Sequence, residues 1–169
     1  MIELEKTYLL KNIPFDIDQY PYKELIDHYI PFDSEHPKLR LRKRWEFYEI
    51  TKKTLIHEGD SSQQQEQTIE LSKAEYQALA DLPNKLIHKK RYYVPYKEIM
   101  LEIDVFQGDL DGLILMDVEF TDKKVMNGFE KPNFCLADVT QNSLFAGWML
   151  CWKTFASLYS LIKQYKGEL

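Results

Sequence analysis

The sequence predicts an α+β fold built on an antiparallel β-sheet. At least five segments alternate charged and apolar residues with a period of two, which is typical of strands with one polar and one apolar face. Apolar residues near the C-terminus recur instead at helical spacing. A chain of 169 residues that is 44% hydrophobic and 14% aromatic has enough apolar material for a core. We therefore expect residues 1–169 to form a single domain of strands with flanking helices.

The charge and cysteine content exclude several classes of function. A net charge of −5 and a pI near 5.4 disfavour a general nucleic-acid binder, so no nucleic-acid partner is expected. Cys135 and Cys151 show neither zinc spacing nor a disulfide framework. No signal peptide or membrane span is predicted, and we expect a cytoplasmic protein.

The first strand is predicted over residues 1–10, where Glu3, Glu5 and Thr7 share one face and Lys6 takes the other. Residues 22–29 are compatible with the start of a short helix, but residues 25–30 favour a strand that ends at Pro31. A loop is expected over residues 33–37 because of its turn-forming residues.

The charge then changes sign along a predicted strand over residues 38–44. Arg40, Arg42 and Arg44 share one face of this strand, and a return arm over residues 47–56 carries Lys53. A basic cluster of this kind is compatible with a nucleic-acid patch or with a solvated strand, and the alternating leucines favour the strand.

The middle of the chain combines a polar segment, a helix and a second basic strand. Residues 58–67 predict a polar, flexible loop, and residues 68–71 a brief strand that carries Glu70. A helix is expected to begin at Ser72, with Glu75 completing a capping box, and to end before Pro83. Residues 85–94 predict a strand with Lys89 and Arg91 on one face.

Residues 98–120 predict a hairpin with four carboxylates on one face. These are Glu102 and Asp104 on the first arm and Asp117 and Glu119 on the second, joined by a turn at residues 108–112. A loop with Asn127, Gly128 and Pro132 follows. Residues 141–165 predict a long C-terminal helix whose aromatic stripe is a packing surface.

Two arrangements satisfy strands that are charged on one face and apolar on the other. The sheet either packs its apolar face on helices and leaves the charged face in water, or closes into a barrel with a charged lumen. The barrel explains why acidic and basic residues lie on separate strands. Clustered carboxylates then require a cation, and oxygen ligands suit Mg²⁺ or Mn²⁺. The facing Arg and Lys groups suit a polyphosphate.

Several motifs, in order, resemble the CYTH superfamily, the triphosphate tunnel metalloenzymes. They are Glu3-Leu-Glu5, Arg40-Leu-Arg42, Tyr48-Glu-Ile-Thr51-Lys-Lys53, Ile87-His-Lys89-Lys-Arg91, Glu102-Ile-Asp104, Asp117-Val-Glu119 and Asp138-Val-Thr140. The resemblance covers nearly the whole chain. It implies a closed antiparallel β-barrel, a tunnel of roughly eight strands with flanking helices, and Mg²⁺- or Mn²⁺-dependent chemistry on a triphosphate.

The resemblance also implies roles for individual residues. Metal ligands would be Glu3, Glu5, Asp117 and Glu119, with Asp117 in place of the usual Glu. Triphosphate-binding residues would be Arg40, Arg42, Lys53, Lys89 and Arg91. Catalysis would depend on Glu5, Glu119 and Arg42, and supporting tunnel residues would be Glu70, Glu102, Asp104 and Asp138, the last in place of a family Glu. The family's opening motif ends in a Lys, where this chain has Thr7.

Three functional hypotheses follow from the resemblance. The first is a hydrolase of inorganic triphosphate, thiamine triphosphate or a nucleoside triphosphate. The second, supported by Thr7, is a tunnel that binds a polyphosphate or nucleotide with reduced catalysis, and the third is a class IV-type adenylyl cyclase. In each case the partner is a small-molecule triphosphate, no membrane is involved, and the protein is a monomer or homodimer.

Overall fold

The fold is a β-barrel, described here by a computed structural model that covers residues 1–34 and 39–166. Every strand pairing in this part of the chain is antiparallel. The strands are β1 (Ile2–Leu10), β2 (Tyr22–Ile30), β3 (Leu39–Arg44), β4 (Phe47–His57), β5 (Asp60–Leu71), β6 (Lys85–Tyr96), β7 (Ile99–Phe106), β8 (Ile114–Glu119) and β9 (Cys135–Asp138).

Eight of these strands close on themselves. The order is β5-β4-β3-β2-β6-β7-β8-β1, and β1 closes the ring by pairing with β5. The closing register sets Glu3 opposite Gln64, while Glu5 on the same strand lies opposite Glu119 of β8. The ninth strand, β9, pairs with the C-terminal end of β1 outside the ring. The prediction of a closed antiparallel barrel of roughly eight strands is confirmed.

These bounds settle one expectation about an individual strand. The segment over residues 22–29 is strand throughout, so the helical alternative is wrong. The predicted loop over residues 33–37 falls partly on residues 35–37, which lie outside the described residues.

The predicted polar loop over residues 58–67 is wrong. The turn involves only Glu58 and Gly59, the latter at φ 81, and β5 then runs for 12 residues. The expected brief strand over residues 68–71 is the end of β5. The segment lacks apolar alternation because Gln64 and Glu66 face a charged lumen, while backbone pairing to β4 and β1 holds the strand.

The helices are short. They are α1 (Lys73–Ala80), α2 (Lys123–Gly128), α3 (Gly147–Leu150) and α4 (Phe155–Lys166), with 3₁₀ turns at Ile17–Gln19, Gly108–Leu110 and Ser143–Phe145. The capping box at Ser72 and Glu75 is confirmed. The loop predicted around Asn127, Gly128 and Pro132 instead contains α2 and leads into β9. None of the helices in the described part of the chain has the length and apolar character needed to cross a membrane.

The prediction of one long C-terminal helix is wrong, because the segment is divided into a 3₁₀ turn, α3 and α4. Gly147 begins α3 against Tyr29, where an added Cβ would lie 1.9 Å from the Tyr29 hydroxyl oxygen. Thr154 and Ser157 then cap α4 reciprocally, since each backbone N–H donates to the other's side-chain oxygen at 3.1–3.2 Å. Helical spacing of apolar residues persists across these breaks, so periodicity alone did not reveal them.

Apolar side chains on the outer barrel face are covered by helices and connecting segments. One cluster centres on Leu101, Ile103 and Val118 beneath the segments that follow β1 and β8. A smaller cluster joins Leu41 and Tyr48 to Tyr76 of α1. Because these apolar side chains point outward, the charged side chains on the opposite face of the same strands point into the barrel.

Candidate active site

The barrel encloses a cavity of about 890 Å³. Because successive side chains of a strand alternate faces, most barrel strands contribute every second residue to its lining, whereas β4 contributes consecutive residues from Thr51 to Leu55. The charged lining residues are Glu3, Glu5, Asp27, Arg40, Arg42, Arg44, Glu49, Lys52, Lys53, Glu66, Lys89, Arg91, Glu102, Asp104, Asp117 and Glu119. Nearly every predicted site residue therefore lies in one enclosed lumen.

Three glutamates form the acidic corner of this lumen. Carboxylate oxygens of Glu3, Glu5 and Glu119 lie within 4.8 Å of one another. They meet because β1 is the strand that closes the ring, between β5 and β8. Burial, together with Glu102, Glu3 and Glu5, raises the pKa of Glu119 to about 7. This convergence of like charges is the electrostatic situation that a bound cation relieves.

Lys53 partly neutralises the negative charge of the acidic corner. Its Nζ lies 2.5 Å from Oε2 of Glu3, 3.9 Å from Oε2 of Glu5 and 3.6 Å from Oε2 of Glu66. Burial opposes the ammonium charge, but the Glu5 and Glu3 carboxylates outweigh it and raise the pKa of Lys53. Lys53 therefore remains charged beside the carboxylates.

Arg42 is held in place by a buried acid that sequence reasoning missed. Its Nε and Nη2 donate to the two carboxylate oxygens of Asp27 at 2.6 and 2.7 Å. Burial disfavours the ionised Asp27, but the Arg42 guanidinium more than offsets this and holds the pKa of Asp27 well below its usual range. The signal was available in β2, where Asp27 lies between Leu25 and Tyr29 on the inward face.

Arg91 lies at the centre of an acidic network. It donates to Asp104 at 2.6 and 2.7 Å, to Asp117 at 2.7 Å, and to Glu102. The Lys89 ammonium also donates to Asp104. Burial lowers the pKa of Lys89 despite the nearby Asp104. Glu102 and Asp104 thus pair with cations of the lumen, and their supporting role stays a prediction.

Arg40 differs from the other lumen arginines. Among the described residues, no hydrogen-bond partner contacts its buried Nε. An unsatisfied buried donor on a cation is costly unless a ligand supplies the acceptor. Arg40 is therefore available to an anion that enters the lumen.

Asp117 does not belong to the acidic corner. The Thr7 hydroxyl donates to its Oδ1 at 2.8 Å, and Arg91 holds the other oxygen. Burial and the Glu5 carboxylate raise the pKa of Asp117 to about 6, although Arg91 opposes the shift. Lys6 lines a different, outer depression, as its strand position predicted.

Two predicted supporting residues do not line the lumen. Glu70 lies on the inward face of β5 but near its exposed end, and Glu66 occupies the lining position instead. Asp138 pairs with Tyr8, whose side chain points away from the lumen, and its carboxylate accepts from Thr140 at 2.6 Å. It lines the outer depression with Lys6.

The two ends of the lumen differ in chemistry. Along β6 the inward residues run from Ile87 through Lys89 and Arg91 to Tyr93. Beside Ile87 the lining is apolar, and it includes Phe145, Trp148 and Leu150 from the C-terminal segment. The charged groups therefore lie between an apolar end and an end lined by Tyr93, Arg44 and Glu49.

Comparison with known proteins agrees with this geometry. No family model matches the chain. An inorganic triphosphatase of Nitrosomonas europaea is 27% identical over 148 residues, which span 86% of this chain and 93% of that protein.

Two crystal structures share the fold. That of an inorganic triphosphatase superposes with a TM-score of 0.63 at 24% identity, covering 88% of this chain and 93% of that one. A putative adenylate cyclase from Bacillus halodurans has a TM-score of 0.54 at 15% identity over 98% of this chain and 91% of that one. With its closed barrel, its inward carboxylates and its inward cations, the chain is similar to this inorganic triphosphatase over most of its length and shares the barrel fold of these structures.

Proposed function

We propose that this protein is a Mg²⁺- or Mn²⁺-dependent triphosphatase that hydrolyses inorganic triphosphate, thiamine triphosphate or a nucleoside triphosphate in the lumen. One observation carries the proposal. Five cationic side chains and three clustered glutamates face a single enclosed cavity, with the cations at Arg40, Arg42, Lys53, Lys89 and Arg91. Similarity to an inorganic triphosphatase supports the same reaction class.

The donor set of the acidic corner fits the proposed metal. Glu3, Glu5 and Glu119 offer only carboxylate oxygens, which Mg²⁺ and Mn²⁺ prefer to the nitrogen and sulfur ligands typical of zinc. A bound divalent cation supplies Lewis acidity toward a phosphoryl oxygen and lowers the pKa of bound water. Asp117 fits a supporting role better than a ligand role, since Thr7 and Arg91 occupy its oxygens.

The cations bind and orient the phosphate chain. Arg40 has a buried donor ready for a phosphate oxygen, and Arg42 is fixed by two bonds to Asp27. Arginine matches phosphate geometry through paired N–H donors, and fixed cations stabilise charge that develops on phosphoryl oxygens during transfer. Lys53 lies between the acidic corner and these arginines, so it is positioned to contact phosphate beside the glutamates.

The proposal is tested with Glu5→Gln, which removes one carboxylate charge and keeps the side-chain shape. We expect it to abolish Mg²⁺-dependent phosphate release from tripolyphosphate. The exposed Glu98→Gln variant should retain wild-type turnover. Calorimetry with tripolyphosphate should still detect binding to Glu5→Gln, because all five cations remain. Full turnover by Glu5→Gln would refute the role of the acidic corner.

A second candidate function is a tunnel that binds a polyphosphate without turning it over. The observation that favours it is Thr7, a neutral residue bonded to Asp117 at the position where the family carries a Lys. In that case wild-type protein would bind tripolyphosphate in the calorimeter and release no phosphate with either Mg²⁺ or Mn²⁺.

We further propose that residues 1–169 act as one domain in a reducing, cytoplasmic setting. Both cysteines of the described chain are free thiols. Burial raises the pKa of Cys135 to about 12 and that of Cys151 to about 11, which keeps both as unreactive thiols.

A further inference from the structure

The strand β1 lacks a neighbouring strand on one edge in the middle of its length. Its other edge pairs with β8 over residues 5–9. On the edge in question, β1 pairs with β5 over residues 2–4 and with β9 over residues 8–10. Between these two pairings, over residues 5–7, none of the described strands pairs with that edge. Glu5 and Thr7, which both line the lumen, lie in this interval.

The segment that follows β9 binds β1 within this interval. The backbone N–H of Val139 donates to the Thr7 carbonyl oxygen at 2.9 Å, and the Thr140 hydroxyl oxygen accepts from the Thr7 backbone N–H at 3.0 Å. Val139 is buried in the apolar cluster at the closed end of the lumen, which anchors the segment. The backbone of Thr7 is therefore held on this edge by two consecutive residues instead of by a strand.

Asp138 determines the direction of the Thr140 hydroxyl group. Its Oδ1 accepts from the Thr140 backbone N–H at 3.0 Å and from the Thr140 hydroxyl at 2.6 Å. The alternative acceptor for the hydroxyl proton, the Thr7 carbonyl oxygen, lies farther away at 3.4 Å. Because the proton of the hydroxyl points to the carboxylate, a lone pair of the same oxygen is free to accept from the Thr7 N–H.

Thr7 lies beside groups that line the lumen. Its hydroxyl donates to Oδ1 of Asp117 at 2.8 Å, and Arg91 donates to the other oxygen at 2.7 Å. Glu5 lies two residues before Thr7 on the same strand face, about 6.6 Å away along the strand. The β1–β8 register sets Glu5 opposite Glu119. A displacement of β1 at Thr7 therefore also moves Glu5 relative to Glu119, and so changes the acidic corner.

We propose that Thr140, oriented by Asp138, is a positioning residue that fixes β1 so that Glu5 and Glu119 can share one divalent cation. The inference rests on the proposed function, and it gives Asp138 a role from outside the lumen. The five proposed phosphate-binding cations lie on β3, β4 and β6. Among them, Arg91 also keeps its bonds to β7. Loss of the Thr140 contact should therefore weaken metal binding and spare phosphate binding.

Calorimetry with Mn²⁺ in the absence of substrate measures the effect on the metal site. Thr140→Val removes the hydroxyl and keeps the side-chain shape, so the dissociation constant for Mn²⁺ should rise about tenfold, the lower limit for loss of a group that orients metal ligands. Thr140→Ser keeps the hydroxyl and should stay within about twofold of wild type. The matched control is Ser72→Ala, which removes another side-chain acceptor of a backbone N–H, in the cap of α1, and should leave Mn²⁺ affinity unchanged.

Two further measurements separate positioning from a general loss of structure. Asp138→Ala removes the acceptor of the hydroxyl proton and should weaken Mn²⁺ binding in the same direction as Thr140→Val, whereas Asp138→Asn keeps an oxygen acceptor and should bind Mn²⁺ as the wild type does. Calorimetry with tripolyphosphate in the absence of metal should give dissociation constants within about twofold of each other for wild type and Thr140→Val, because the proposed phosphate-binding cations lie on other strands.

The outcomes distinguish this inference from the proposed function. Unchanged Mn²⁺ affinity in Thr140→Val, an equal loss in Thr140→Ser, or an equal loss of tripolyphosphate affinity would overturn the positioning role and leave triphosphate hydrolysis standing. A wild type that binds Mn²⁺ but releases no phosphate would refute the triphosphatase, and the Mn²⁺ comparison between variants would still decide the role of Thr140. Absence of Mn²⁺ binding by the wild type would overturn the metal site and the inference with it.

Discussion

Asp27→Asn is the perturbation that most directly examines how the lumen is held together. Asp27 is 1% exposed and Arg42 8% exposed, and the two side chains form paired bonds of 2.6 and 2.7 Å. Removing one charge of a buried ion pair costs about 3–5 kcal/mol, because the other charge remains desolvated. The amide still accepts one bond, so we expect the lower limit, about 3 kcal/mol. For a chain of this size, that loss lowers Tm by about 6–12 °C.

Urea unfolding of the metal-free protein measures this loss, and the exposed Asp109→Asn variant is the control. Tripolyphosphate should raise Tm more in Asp27→Asn than in wild type, since Arg42 then lacks an acid and binds phosphate more strongly. A decrease in the free energy of unfolding below about 1 kcal/mol, equal to that of the control variant, would show that the Asp27–Arg42 pair is not needed for the stability of the barrel.

Two further predictions concern the acidic corner and the C-terminal segment. The pKa of Glu119 is raised from its ordinary value of 4.5 to about 7. Between pH 4.5 and pH 7 the metal-free folded protein therefore binds more protons than the unfolded chain. Glu119 thus contributes stability that is lost as the pH rises through this range. In thermal scans, Mg²⁺ should raise Tm more at pH 8 than at pH 6. This pH dependence should be smaller in Glu119→Gln. An equal effect of Mg²⁺ on the Tm of the wild type at the two pH values would contradict the raised pKa of Glu119. Gly147→Ala places a Cβ 1.9 Å from the Tyr29 hydroxyl oxygen and should cost about 1–3 kcal/mol by urea unfolding. Adding Tyr29→Phe removes that oxygen and should restore part of the loss, and a double variant no more stable than Gly147→Ala would contradict the contact.

Strand parity explains why most of the site was predictable. Once residues 1–10 or 85–94 are recognised as strands, the face of each charged side chain follows from alternation alone. Asp27 was not predicted as a site residue, although strand alternation places it on the inward face of β2 with Leu25 and Tyr29. Glu66 was not predicted as a lumen residue because residues 58–67 lack the apolar alternation by which strands are recognised.

Other features depend on contacts between distant segments. The segment Asp138-Val-Thr140 predicted a carboxylate in the lumen, yet β9 pairs beside Tyr8 and Asp138 lines the outer depression. At the start of α3, Gly147 closely approaches Tyr29, more than a hundred residues earlier in the chain. Neither feature has a local signal, because each arises where two surfaces meet.

The sequence by itself determined which residues form strands with a charged face, and with it the acidic and basic sets. Only the tertiary structure decided which of these charges meet: Arg42 with Asp27, Arg91 with Asp104 and Asp117, and three glutamates left together. The physical reason is that alternation is a property of a single strand, whereas partners across a lumen depend on barrel closure and register.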